Sequence, residues 1–244
     1  MSELPTVALA QLEPDGLDAE GQNWQQRKSI QTRLAILEAA IDCLEEHGFA
    51  RTTTQLIAQT AGISRGAMLH HYATKQDLIA SVIEYTFFKR MENFLAAIRN
   101  LPEDDRVDRN AGIEIYWESL LTREFAAYLE LMVAARTDKE LREIFLPSAR
   151  HYERIERAEV VRAFPEWQGN QDAYDLAMDF CISAMQGLLF NRDIWEERER
   201  RVRLRRFIST AIVMLRSGAL PIPTTDRIDA PVVRKRRSAP RAGR

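Results

Sequence analysis

The sequence predicts an all-α protein, and three observations carry this prediction. Apolar residues recur every three or four positions through most of residues 26–218, as they do along one face of an α-helix. Gly and Pro are few, 10 and 9 in 244 residues, and many of the prolines lie near the two ends. Residues that cap helices, such as Ser64 and Thr74, precede several of the periodic segments. Together these patterns indicate helices joined by short turns.

The composition argues against several classes of protein. No apolar run approaches the roughly 18 uncharged residues of a membrane helix. Residues 1–12 carry an acid and no Lys or Arg, unlike a secretory signal. Cys43 and Cys181 are too few for a disulfide framework, and we expect both to be buried side chains rather than redox sensors. We therefore expect a cytoplasmic protein with no membrane partner.

The net charge of −2 conceals an asymmetry between the two ends. Residues 1–25 hold five acids and no Lys or Arg, whereas residues 219–244 hold seven basic residues and two acids. We expect a flexible acidic tail over 1–25 and a flexible basic tail over 219–244. The basic tail either adds nonspecific DNA affinity by neutralising phosphates or is simply a solvated segment.

Four helices are expected between residue 26 and residue 98. The first carries the apolar stripe from Ile30 to Leu44 and ends at Gly48. One of three threonines, at 52–54, caps the second, which stops at Gly62. Ser64 caps a third short helix over 65–71, and a capping box at 74–77 opens the fourth.

The second and third of these helices form a helix-turn-helix pattern. Gly62 supplies the backbone freedom that the corner needs, and Ile63 fills the corner with an apolar side chain. No carboxylate occurs from Ala58 to Gln76, although the first helix is rich in acids. An acid-free exposed face is what a surface facing phosphates requires.

Residues 53–78, TTQLIAQTAGISRGAMLHHYATKQDL, resemble the DNA-binding signature of the TetR family of transcriptional regulators. The similarity covers about residues 31–86, and Leu69 departs from it because the family usually has a tyrosine there. The resemblance implies a three-helix DNA-binding domain over 26–90, with the helix-turn-helix at about 53–72. A larger helical domain for effector binding and dimerisation would follow over 91–218.

Ten residues are candidate contacts to a double-stranded DNA operator. Arg65 is the only long basic residue on the recognition helix and suits guanine, while Ala67 suits a thymine methyl group. Gly66 would let the helix approach the groove closely, the alternative being a glycine that the helix merely tolerates. The remaining polar candidates suit phosphates, whereas Leu69 lacks the hydroxyl that would contact one. The set is Thr53, Thr54, Gln55, Arg65, Gly66, Ala67, Leu69, His70, His71 and Lys75. Met68 and Tyr72 fall on the opposite face and are expected in the core.

The second domain is expected to consist of further helices, one of which Pro147 should kink or split. The last two, at about 171–192 and 199–217, carry stripes of apolar and small residues. The resemblance implies that they pair with their copies in a homodimer. Alternatively, the stripes face the core of a monomer. A dimer would read a roughly palindromic operator, because helix-turn-helix dimers bind two half-sites.

The resemblance also implies an unknown small-molecule effector that releases a repressor from DNA. The candidate pocket residues are Tyr116, Trp117, Tyr128, Met132, Trp167, Met178, Phe180 and Met185. Each could instead be ordinary core, since pockets and cores share apolar linings. Because few of them are ionisable, we expect an apolar or aromatic effector.

Other functions find less support in the sequence. It contains no glycine-rich phosphate loop, no G-x-S-x-G elbow and no HExxH motif, so we expect neither an enzyme nor a cofactor. His70 and His71 are adjacent and have no Cys, Asp or Glu within a turn, which argues against a metal site. A helical protein-interaction module with degenerate or nonspecific DNA binding remains the alternative, and Leu69 is its best support.

Overall fold

A computed structural model describes residues 6–17, 23–102 and 111–223. Within these ranges the regular structure is entirely helical, which confirms the all-α prediction. The helices are α1 Thr6–Leu12, α2 Trp24–His47, α3 Thr54–Thr60, α4 Arg65–His71, α5 Lys75–Arg99, α6 Ala111–Ser119, α7 Arg123–Ala134, α8 Lys139–Ala163, α9 Gln171–Asn191 and α10 Arg198–Arg216. Short 3₁₀ turns at Phe49–Arg51 and Pro165–Trp167 complete them. The basic residues expected in the C-terminal tail lie outside the described residues.

Side-chain caps set the starts of α3, α4 and α5. The hydroxyls of Thr53 and Ser64 each accept a backbone N–H three residues further on, at 3.1 Å. Thr74 and Asp77 form the expected capping box. Among the three competing threonines the cap is Thr53, because Thr52 is buried and donates its hydroxyl to backbone carbonyls. Local hydrogen-bonding residues therefore fix the helix boundaries that the sequence predicted.

The N-terminal segment is not the free acidic tail that the sequence predicted. Residues 6–12 form α1, which packs against α5 and α8 and buries Ala8 and Leu12. Arg33 of α2 then donates to the carbonyl oxygens of Asp15 and Gly16, at 3.1 and 3.2 Å. The prediction weighed only the acids and missed that the segment offers the core two apolar side chains.

The expected boundary between residues 90 and 91 lies inside α5. This helix runs without interruption from the helix-turn-helix into the second domain. One hydrophobic core joins α2, α3, α4 and α5 to residues of α7 and α8, and a second core lies among α6, α7, α9 and α10. The two predicted domains therefore share α5 and part of their core.

Pro147 does not split α8, which is continuous from residue 139 to residue 163. A proline in a helix removes one N–H···O bond and crowds the preceding turn. Here Phe145 and Tyr152, on either side of Pro147, are both buried in the first core. Their packing against the rest of the protein holds the helix together across the proline.

Candidate nucleic-acid interface and ligand cavity

The corner between α3 and α4 has the geometry of a helix-turn-helix. Gly62 has φ +67°, a left-handed conformation that disfavours residues with a Cβ, and the N–H of Ile63 donates to the carbonyl of Ala58 at 3.0 Å. On the inner face of α4, Met68 is 1% exposed, and Tyr72 just after it is also buried. Both residues are in the core, as predicted.

The opposite face of α4 is open. Arg65, Gly66, Leu69 and His70 are exposed, and Ala67 and His71 are partly exposed. A Cβ added to Gly66 would meet only the Ser64 hydroxyl, at 3.8 Å. The fold itself therefore does not require glycine at this position.

The other candidate contacts flank this face. Thr53 and Gln55 are exposed and Thr54 partly so, all at the start of α3, whose first N–H groups are those that can bind a phosphate. The Lys75 ammonium lies 5.5 Å from the centre of the Phe49 ring. An additional exposed basic residue, Arg51, ends the turn just before α3 and donates to the His47 carbonyl at 2.9 Å. Its position directly before the threonines was the available sequence signal.

The electrostatics of this face are basic or neutral. Burial lowers the pKa of His71, and the positive charges of His70 and Arg33 lower it further. Both effects favour the uncharged form of His71. Across the described residues, two acids outside 53–76 accept hydrogen bonds from this segment: Asp77 from the N–H of Thr74 at 3.0 Å, and Glu140 from Gln76 at 3.1 Å.

Helix α7 ties the second domain to the helix-turn-helix. Glu130 accepts a hydrogen bond from the backbone N–H of Phe49 at 3.1 Å. At the other end of α7, Arg123 forms ion pairs with Glu38 and Asp42 of α2. The turn that leads into α3 is thus held by a helix of the second domain.

A cavity opens among α5, α6, α8, α9 and α10. Its enclosed volume is about 80 Å³, and about 950 Å³ is free of atoms when the open solvent at its mouth is counted. Its apolar wall includes Phe94, Ile113, Phe164, Met178, Ile182 and Ile212. Its polar wall includes Arg90, Asn93, Tyr116, Tyr152, Glu156 and Arg216.

Only part of the predicted pocket set lines this cavity. Tyr116, Trp167 and Met178 do. The other five do not: Trp117, Tyr128, Met132, Phe180 and Met185 pack into the two cores instead. Helical periodicity marked them as apolar, but it could not tell which apolar side chains face a void.

The cavity carries ionisable groups that the predicted set did not include. Arg90 lies against three aromatic rings, with its guanidinium carbon 4.3 Å from the ring centre of Tyr128, 4.8 Å from Tyr152 and 5.4 Å from Phe125. Burial raises the pKa of Glu156, opposed by Arg90 and by the Tyr152 hydroxyl, which donates to Glu156 at 2.9 Å. Sequence reasoning missed both charged residues because each has charged neighbours on its helix, such as Lys89 and Arg157, and periodicity does not show which of them faces a cavity.

The last two helices pack on each other and leave an apolar outer face. The predicted stripe is largely internal, since Ala177, Leu188 and Ile212 are buried between the helices. By contrast, Phe190 is 53% exposed and Phe207 is 65% exposed. The outer face also includes Ser183, Gly187 and Met214. A Cβ added to Gly187 would meet no atom within 4 Å.

The described residues lack both a membrane span and a metal-site cluster. No helix among them has the length and apolar character needed to cross a bilayer. They also contain no cluster of three or more His, Cys, Asp or Glu side chains placed to hold a metal ion.

Comparison with known proteins identifies the N-terminal region. Residues 36–82 match the family model described as bacterial regulatory proteins, tetR family. A Mycobacterium tuberculosis protein named an uncharacterized HTH-type transcriptional regulator is 34% identical over 119 residues, which are 49% of this chain and 60% of the relative. The HTH-type transcriptional regulator CymR of Pseudomonas putida is 32% identical over 49% of this chain and 58% of its own length. The HTH-type transcriptional repressor AcnR of Corynebacterium efficiens is 29% identical over 47% and 56%. The chain thus spans little more than half the length of the curated relatives it matches.

Solved structures share the fold over most of the chain. A TetR-family protein from Streptomyces coelicolor A3 superposes with a TM-score of 0.55 at 18% identity, covering 80% of this chain and 99% of its own. A protein from Saccharomonospora viridis, crystallised in complex with choline, gives a TM-score of 0.55 at 16% identity, covering 75% and 96%. At such identities the likeness extends to the fold alone.

Proposed function

Because this chain belongs to the TetR family of helix-turn-helix transcriptional regulators, we propose that it is a cytoplasmic, dimeric repressor released from a palindromic operator by a small molecule. The regulator works by binding alone and catalyses no reaction. The observation that carries the proposal is the exposed face of α4. Arg65 and Gly66 there are exposed without serving the fold, and no carboxylate lies on this helix. Such a face suits the major groove of DNA.

The exposed apolar side chains of α9 and α10 support the dimer. Phe190 lies three residues after Gly187 and seven after Ser183, so all three fall on one helical face. Phe207 and Met214 are likewise seven residues apart on α10. A large apolar patch bordered by small residues suits a symmetric interface between two copies of the chain. Two recognition helices related by a two-fold axis would then read two half-sites.

Effector release is supported by two helices that reach both the cavity and the DNA-facing region. Helix α5 begins at Lys75, beside the recognition helix, and passes the cavity at Arg90 and Asn93. Helix α7 contacts Arg90 through the rings of Phe125 and Tyr128 and holds the N–H of Phe49 through Glu130. A ligand that favours one arrangement of these helices would shift the population toward it. The choline complex of the Saccharomonospora viridis protein supports a ligand site in this fold.

The test is a titration of the purified protein on DNA from upstream of its own gene, at two salt concentrations, followed by footprinting. We expect saturable, salt-sensitive binding and a protected region with two-fold symmetry. Arg65→Ala should weaken operator binding at least about tenfold, since one bidentate contact to guanine contributes about 1–3 kcal/mol. The matched control is Arg142→Ala, which removes an exposed arginine on α8 and should leave operator affinity unchanged.

One observation favours a second function. Leu69 is 49% exposed at the centre of the recognition helix, where an apolar side chain also suits a protein partner. On this alternative the chain would bind DNA weakly and without sequence preference. A selection from genomic fragments would then search for a tighter site. If neither the upstream DNA nor any selected fragment binds more tightly than random DNA, the alternative is supported and the repressor is contradicted.

A further inference from the structure

We propose that the cavity binds a small organic carboxylate with an apolar or aromatic body, and that Arg90 is the residue that holds the carboxylate. The inference rests on the proposed function, because it names the chemical class of the effector. It replaces the apolar effector that the sequence alone suggested.

Arg90 has no acceptor for its N–H groups among the described residues. A guanidinium carries five N–H donors and remains charged at any physiological pH. Its neighbours are the ring faces of Tyr128, Tyr152 and Phe125, which attract the charge but do not replace hydrogen-bond acceptors. No carboxylate of the described residues lies within 4.0 Å of it. Arg90 is partly exposed at the cavity wall, so its guanidinium is placed to bind an acceptor that enters the cavity.

Every other charged group at the cavity already has a partner. Glu156 accepts the hydroxyl of Tyr152 at 2.9 Å, and Arg216 forms an ion pair with Glu166 at 2.8 Å. Ser119 and Thr122 donate their hydroxyls to backbone carbonyls. Arg90 is therefore the group that the protein leaves unpaired.

A second unused donor lies on α6. Tyr116 accepts a hydrogen bond from Gln186 at 3.2 Å, while its own hydroxyl proton has no acceptor among the described residues. With Arg90, the cavity thus offers a planar guanidinium and a phenol, a donor set that suits the two oxygens of a carboxylate. The apolar wall formed by residues such as Phe94, Ile113 and Phe164 would surround the rest of the ligand.

A cationic ligand fits less well. Binding a cation usually requires open aromatic faces, and two of the rings at the cavity already hold arginines: Tyr152 holds Arg90, and Trp167 holds Arg216 at 5.7 Å. Both acids that line the cavity already have partners, since Glu156 accepts the Tyr152 hydroxyl at 2.9 Å and Glu166 pairs with Arg216 at 2.8 Å.

The experiment measures ligand binding to the purified full chain in the absence of DNA, by calorimetry and by the shift in melting temperature. The probes are benzoate, phenylacetate and 2-naphthoate, each compared with its primary amide and with benzylamine. We expect at least one carboxylate to bind at least about tenfold more tightly than its amide, because a hydrogen bond to a charged group contributes about 1.5–3 kcal/mol. Equal affinity for acid and amide, preference for the amine, or no binding of any carboxylate would overturn the proposal.

Three variants locate the carboxylate. Arg90→Met should reduce carboxylate affinity at least about tenfold. Arg90→Lys keeps the charge but not the planar fork, so its carboxylate affinity should lie between those of Arg90→Met and the unaltered protein. Arg142→Met is the control, since this exposed arginine of α8 does not line the cavity; the carboxylate affinity of this variant should be unchanged. Unaltered binding by a folded Arg90→Met protein would contradict the assignment.

A fourth variant tests the site without touching Arg90, in case its removal prevents folding. Glu156→Gln keeps the shape and an acceptor for Tyr152 but removes a negative charge near the guanidinium, so carboxylate affinity should rise at least about threefold. A fall in affinity would contradict an anionic ligand. The operator titration is done separately. Carboxylate binding without DNA release would leave this proposal intact and contradict only the regulatory one.

Discussion

The two halves of this protein differ in what they leave exposed. Between residues 23 and 102 the large apolar side chains on the surface are Trp24 and Leu69, and the open face of α4 is otherwise small, basic or imidazole. Between residues 111 and 223 the exposed apolar side chains are more numerous and several gather on α9, α10 and the segments after them: Phe190, Ile194, Phe207, Met214, Leu220 and Ile222. The first surface suits a charged, hydrated partner, and the second suits a copy of the same chain.

The same comparison separates residues that the fold needs from residues that it does not. Met68 fills the core beneath α4, whereas Arg65 and Gly66 on the same helix have no structural role that packing explains. In the second half, Phe125 and Ile212 fill the core, whereas Phe207 faces outward. Arg90 of the first half, at the cavity wall, likewise has unused donors. Side chains that the folded monomer does not use mark the surfaces where partners bind.

The largest expected effect tests whether the two faces of α4 are independent. Met68→Ala removes a side chain that is almost fully buried, so we expect it to lower the free energy of unfolding by about 2–5 kcal/mol. Leu69→Ala, at the neighbouring exposed position, should change it by less than about 0.5 kcal/mol. Urea denaturation of both variants checks this. Similar losses for the two would show that the outer face also contributes to stability.

A second prediction concerns the outer face of the second half. In a symmetric dimer, Phe207→Glu places one negative charge on each side of the interface, so we expect dimerisation to weaken at least about tenfold. Operator binding should weaken as well, because it depends on the dimer. Trp24→Glu, at an apolar residue that is 76% exposed in the first half, is the control and should leave the dimer intact. Sedimentation velocity over a range of concentrations measures both. A Phe207→Glu protein that remains dimeric would place the interface elsewhere.

The smallest expected effect sharpens the comparison because stability and function should move in opposite directions. Gly66→Ala introduces a methyl group that the protein has room for, and alanine favours a helix over glycine by up to about 1 kcal/mol. We expect a small increase in stability and a several-fold loss of operator affinity. Thermal unfolding and operator titration measure the two quantities. Increased stability with unchanged affinity would mean that Gly66 is merely tolerated.

Much of the first half was predictable because its signals are local. A cap and the N–H that it accepts are three residues apart, and the corner residues Gly62 and Ile63 are neighbours. The outer and inner faces of α4 follow from helical periodicity over seven residues, so Met68 was expected in the core and Arg65 on the surface. The segment at residues 6–17 was predicted wrongly, since its helix depends on contacts with α5 and α8 rather than on its own composition.

The sequence by itself determined most of the helices, several of their caps and the resemblance of residues 53–78 to the TetR family, since each of these depends on residues that are near one another along the chain. Only the tertiary structure decided the cavity. Arg90, Tyr116 and Glu156 come from three helices that meet only in the folded protein, and none of them has a signature in its own segment. Periodicity does not show whether an arginine is paired, because pairing depends on distances between helices. In this protein the position of Arg90, beside the rings of Tyr128 and Tyr152, is what supports the proposed ligand.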